Sequence, residues 1–128
     1  PDTDFEAWLL QQGYESSQSL EDVADSRLEY IAGLGTSVLD TTNLCLNRNG
    51  ETLQRELAQI GYSQEAFLIV NVEDGDINLA DFQDLIGNRS FSEFGIAYAD
   101  GTTGFSSKSY LILILGNTNN IDGIQCQQ

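Results

Sequence analysis

Residues 91–116 read FSEFGIAYADGTTGFSSKSYLILILG, and the architecture turns on this stretch. Phe94, Ile96 and Tyr98 alternate with the small residues Gly95, Ala97 and Ala99, the period-2 pattern of a strand with one crowded face. Asp100-Gly101 and Gly104 predict a turn. Tyr110 to Leu115 is then an unbroken run of six large apolar residues. Alternation is absent, so both faces of this strand should be covered, which places it mid-sheet between two layers. The run is short for a helix, and Gly116-Asn117 closes it at once.

The remaining segments must supply those layers. Asp2–Gln12 predicts a helix with Phe5, Trp8 and Leu9 on one face and Gly13 at its end. Ser16–Ser19 reads as a loop, and Ser19 with Asp22 resembles a capping box. Leu20, Val23, Ala24, Leu28, Ile31 and Leu34 follow at helical spacing up to Gly35. Thr36–Gly50 reads as a loop, and Glu51–Ile60 as a helix lined by Leu53, Leu57 and Ile60. Ala66–Val72 (AFLIVNV) predicts a strand beside Tyr110–Leu115, with a turn at Asp74–Asp76. Asn78 can cap a further helix over Leu79–Ile86. The sum is one domain over residues 1–128, of α/β (α+β) class: a three-layer α/β/α sandwich around a small, mostly antiparallel sheet.

Composition narrows the function. The chain carries 20 acidic and 5 basic residues, a formal charge of −15. Phosphate recognition needs clustered Lys or Arg, and here Arg27, Arg48, Arg55, Arg89 and Lys108 are scattered singly, so nucleic acid is not an expected partner. No apolar run approaches the roughly 20 residues of a membrane span, so no transmembrane segment is expected. No basic stretch followed by an apolar one opens the chain, so any signal peptide is expected to be already removed. Histidine is absent, which excludes Ser-His-Asp and Cys-His catalysis and His-based zinc sites. The two cysteines, Cys45 and Cys126, fit either one disulfide or two reduced thiols. The polar tail around Cys126 would fray unless anchored, which favours the disulfide and an extracellular, oxidising compartment.

Four patterns invite a site reading. Asp74-Gly75-Asp76-Ile77-Asn78-Leu79-Ala80-Asp81-Phe82 matches the second half of an EF-hand loop, but the positions that should donate the first oxygens hold Val70 and Val72. The reading is a turn before a helix, with Asp74, Asp76 and Asp81 left as a weak cation site for Ca2+. Carboxylate pairs such as Glu73 with Asp74, or Asp81 with Asp84, could serve acid–base chemistry, yet close pairs arise by chance at this acidity. Asn88-Arg89-Ser90 is a glycosylation sequon at Asn88. Trp8, Tyr14, Tyr30, Tyr62 and Tyr98 read as core or core edge before they read as a ligand groove.

Over about residues 19–116 the order of elements resembles the CAP superfamily of cysteine-rich secretory, antigen 5 and pathogenesis-related proteins. Gly50–Tyr62 (GETLQRELAQIGY) resembles a family helix with a central Arg that ends in Gly-Tyr. Leu68–Gly75 (LIVNVEDG) falls where the family has Glu-Asn-Ile and a glycine turn, and residues 91–97 (FSEFGIA) resemble its FTEVGVG strand. The resemblance implies a secreted α/β/α scaffold. It also implies a cleft where many members hold a divalent metal with two histidines and two acids. Here that set is gone: Val70 replaces the glutamate, Asn71 is retained, and the second histidine falls near Asp81 or Phe82. Asn71 and Phe82 are thus the implied ligand-binding positions. The expected function is a secreted, non-catalytic binding or interaction domain for a protein, lipid or cell-wall ligand, with no catalytic residues. A carboxylate-only hydrolase and a calcium-dependent surface protein are the alternatives.

Overall fold

The computed structural model describes residues 2–33, 46–47, 49–62, 65–74, 83, 91–99, 108–117 and 124–127. Its elements are α1 (Asp2–Gln11), β1 (Glu15–Ser16), α2 (Gln18–Gly33), α3 (Leu53–Gln59), β2 (Glu65–Asp74), β3 (Glu93–Ala99), β4 (Lys108–Asn117) and β5 (Ile124–Gln127). The strands form one sheet in the order β1-β3-β4-β2-β5. The long pairs β3–β4 and β4–β2 are antiparallel, and the short outer pairs β1–β3 and β2–β5 are parallel.

β4 is the middle strand, and Leu111 to Leu115 are all fully buried. The pleat sends successive side chains to opposite faces, so the apolar run divides in two. Tyr110, Ile112 and Ile114 join Ala66, Leu68, Val70 and Ala97 under α2 and α3, packed against Leu20, Val23, Ala24, Ile31, Leu53 and Leu57. Leu111, Leu113 and Leu115 join Phe67, Ile69, Phe94 and Ile96 on the other face, packed against Phe5, Leu9 and Tyr14 from α1 and the turn after it. Each fully buried Leu or Ile contributes about 1.5–3 kcal/mol relative to exposure. A run without alternation is therefore what a strand with helices on both sides requires. The molecule is a three-layer α/β/α sandwich of α+β class.

Two close approaches set the helices on the sheet. Ser17, not Ser19, caps α2: its Oγ accepts from the Leu20 N–H at 3.3 Å, and its own N–H donates to the Phe94 carbonyl at 2.9 Å. The expected Ser19–Asp22 capping box is corrected accordingly. It gives way because β1, unforeseen in the predicted loop, pins Glu15 and Ser17 to β3 just ahead of the helix. The first turn of α2 then lies directly on Gly95, where a Cβ would collide with the backbone of Leu20 and Glu21.

The second approach is a turn used twice. After α3, Gly61 takes φ +81°, Gly61 N–H donates to Ala58 at 3.0 Å, and Tyr62 N–H donates to Leu57 at 2.9 Å. After α1, Gly13 takes φ +96°, and Gly13 and Tyr14 donate to Leu10 and Leu9, both at 3.1 Å. This is the Schellman arrangement, which needs a residue tolerant of the left-handed region and brings the following side chain back onto the helix. It corrects one expectation: Ile60 does not line the core but is half exposed, because the reversal turns Tyr62 inward in its place.

α3 starts at Leu53 with Thr52 as its N-cap, two residues later than expected. β2 runs up to Asp74, the first residue of the expected turn, with Asp74 in register with Lys108; Gly75 and Asp76 lie outside the described residues. β5 forms from the tail that read as polar and loose. The helix expected over Leu79–Ile86 lies outside the described residues except Gln83, which is helical and half-buried.

Candidate functional site

Two polar links stand at the two ends of α3. At its start, Arg27 is fully buried among the apolar residues of α2. Its Nη2 lies 3.1 Å from Oε2 of Glu56, a residue of the first turn of α3. Glu56 Oε2 also accepts from Asn47 Nδ2 at 3.2 Å. Asn47 in turn accepts from the backbone N–H groups of Asn49 and Glu51 at 2.9 and 3.0 Å. One carboxylate thus joins α2, α3 and the turn that leads into α3. Burial pushes the Arg27 guanidinium below its ordinary range, and Glu56 opposes that shift. A guanidinium stays protonated at neutral pH even so, which makes it an anchor and not an acid or base.

At the other end, Tyr62 lies over Gly116 and beside Leu20, where its hydroxyl donates to Glu93 Oε1 at 2.9 Å. Glu93 is in register with Gly116, so the missing side chain of Gly116 makes room for the phenol. Burial first, then the Glu93 hydrogen bond and charge, push the Tyr62 hydroxyl well above its ordinary 10.0. The phenol therefore stays neutral and acts as a hydrogen-bond donor. Both links suit fastening better than proton transfer.

The outward side of α2 is acidic. Asp22, Asp25 and Glu29 are exposed there, and Gln18 Nε2 donates to Asp22 at 2.8 Å. Burial, then Asp22 and Glu29, raise the Asp25 carboxyl above 3.8. No group of three or more Asp, Glu, Cys or His residues that could hold a metal occurs among the described residues.

The structure gathers few of the positions singled out from sequence. Asn71 lies on β2, in register with Leu111. Glu73 and Asp74 are the last two residues of β2, in register with Ser109 and Lys108. Cys126 lies on β5, in register with Leu68. Cys45, Asp76, Asp81, Phe82, Asp84 and Asn88 lie outside the described residues. Val70, which stands where an EF-hand ligand would be needed, is buried in β2.

Sequence reasoning missed Arg27, Glu56, Asn47 and the Tyr62–Glu93 link. For Arg27 the signal existed: it sits three residues after Ala24 and four before Ile31, on the apolar stripe of α2. Compared with family models, curated proteins and solved structures, the chain matches none.

Proposed function

We propose that this chain is a secreted, non-catalytic binding domain on a CAP-like α/β/α scaffold, with a protein, lipid or cell-wall component as its ligand. The observation that supports the reading most is the use of the polar groups with defined partners. Arg27, Glu56 and Asn47 hold α2 to α3, and Tyr62 and Glu93 hold the end of α3 to the sheet. These are fastening roles. The histidine-free composition removes the commonest acid–base side chain. Helices cover both faces of the sheet, so a partner meets helix surfaces, loops and edges. No helix among the described residues is long and apolar enough to cross a membrane, which says nothing of a β-barrel.

The test pairs binding with turnover. Calorimetric titration with phospholipid and sterol vesicles, purified cell-wall polysaccharide and candidate extracellular proteins should give saturable binding to one class. Ester, glycoside and phosphate substrates should be left intact. Turnover that disappears in a Glu93→Gln variant would overturn the proposal in favour of a carboxylate hydrolase.

A further inference from the structure

We infer that Asn49 is a site of spontaneous deamidation, and that the isoaspartate it forms loosens the polar link at the head of α3. Asn49-Gly50 is the one asparagine–glycine pair in the chain; each other asparagine precedes a residue that carries a side chain. Deamidation begins when the next residue's backbone nitrogen attacks the side-chain carbonyl carbon of the asparagine. A side chain on that next residue crowds the approach, and glycine has none. Asn49 and Gly50 are both exposed, and open space stands where a Gly50 Cβ would be. The pair lies in the turn that leads into α3, just ahead of the N-cap Thr52.

Asn47 supplies the contrast. It is half-buried, its Nδ2 donates to Glu56 at 3.2 Å, and its Oδ1 accepts from the Asn49 and Glu51 N–H groups. The same turn restrains Asn49, because the attacking nitrogen's N–H donates to the Asn47 carbonyl at 2.9 Å. That proton must leave before the nitrogen can attack, so the turn has to open first. Asn47 thus sets the rate at Asn49 through the bonds that keep the turn closed.

In the step itself the Gly50 nitrogen loses its proton to hydroxide and bonds to Cγ of Asn49. The Cγ–Nδ2 bond breaks, and the side-chain amide takes a proton from water and leaves as ammonia. The resulting succinimide adds water. Cleavage at Cγ gives aspartate; cleavage at the backbone carbonyl carbon gives isoaspartate, in which the chain runs through Cβ and Cγ. Water enters, ammonia leaves, and no redox partner is needed. Isoaspartate lengthens the chain by one carbon between positions 49 and 50. The Glu51 N–H bond to Asn47 Oδ1 and the Asn47 N–H bond to the Glu51 carbonyl both span that point and lose their register. Asn47 is then released from Glu56, which keeps its contact with Arg27. Aspartate leaves the backbone path unchanged and only adds a charge at an exposed position. None of this depends on the proposed ligand or compartment.

The full chain is aged at mildly acidic and mildly alkaline pH, digested in acid and mapped by mass spectrometry. Isoaspartate is scored with an isoaspartyl methyltransferase and a labelled methyl donor. Asn49 should convert before any other asparagine, faster at alkaline pH, with isoaspartate among the products. Asn49→Gln should stay intact at this position. Asn47→Ala should quicken conversion of Asn49 by about fivefold or more, as the loss of one net hydrogen bond implies, and urea should quicken it in the native chain. The isoaspartate form, separated by ion exchange, should melt about 3–6 °C below fresh protein, and Asn49→Asp within about 1 °C of it. Another asparagine converting first, or aspartate without isoaspartate, would overturn the site. A rate unchanged by Asn47→Ala or by urea would overturn the restraint. An isoaspartate form that melts like fresh protein would overturn the loosening.

Discussion

The Tyr62 hydroxyl donates a 2.9 Å hydrogen bond to Oε1 of Glu93, a residue 31 positions along the chain. It spans from the turn after α3 to the first residue of β3, so it fastens a helix layer to the sheet. Tyr62→Phe keeps the ring and removes the donor. The expected cost is about 0.5–1.5 kcal/mol by chemical denaturation, with the fold intact. The same residue sets an alkaline limit. Its folded value is raised, so the unfolded chain releases the phenolic proton first as pH climbs past 10.0. Stability from this group is complete below that pH and is lost as pH rises toward the raised folded value. Melting temperatures measured from pH 8 upward should fall more steeply for the native protein than for Tyr62→Phe.

Arg27 and Glu56 should behave as a unit. Glu56→Ala leaves the fully buried Arg27 without its carboxylate and is expected to cost about 3–5 kcal/mol. The double change Arg27→Met, Glu56→Leu removes both charges and should recover most of that loss. Urea unfolding of the two variants checks the coupling, and equal losses in both would refute it.

Gly95 is where α2 lies on the sheet. Gly95→Ala puts a methyl group into the backbone of Leu20 and Glu21. The expected loss is about 1–3 kcal/mol, with α2 shifted off its seat. Ala97→Gly, two positions along the same strand, removes a methyl group instead and serves as the contrasting measurement.

Asp25 carries the opposite sign from a stabilising carboxylate. Its raised value means the folded chain holds the proton more tightly than the unfolded one. Folding is therefore favoured by this group below about pH 3.8 and disfavoured as pH rises through the folded value. Asp25→Asn should raise the melting temperature slightly at pH 7 and leave it unchanged at pH 3. Added salt should shrink the gain, because Asp22 and Glu29 supply part of the shift.

The central layer was legible in the sequence because burial on both faces leaves a composition mark. Tyr110–Leu115 has no polar alternation, and Ala66–Val70 likewise. The three described helices were legible from their apolar spacing. β1 and β5 were not, since ES and IQCQ carry no hydrophobic period; backbone pairing and neighbouring elements place them. Arg27 read as one more scattered cation, although its position on the stripe of α2 marked it for burial. Its partner Glu56 was one acid among 20, and only the tertiary contact of α2 with α3 distinguishes it. Ile60 and Tyr62 exchanged places because a helix period cannot foresee the reversal at Gly61. Of the implied ligand positions, Asn71 is on β2 and Phe82 lies outside the described residues.

Native-state hydrogen exchange of the backbone amides over Tyr110 to Leu115 tests the account most directly. A middle strand sealed by α1 on one face and by α2 and α3 on the other should open only with global unfolding. These amides should then be the slowest in the protein, and their opening free energy should equal that from urea denaturation. Exchange within minutes, at rates like those of solvent-exposed amides, would contradict a sealed central strand and the scaffold built around it.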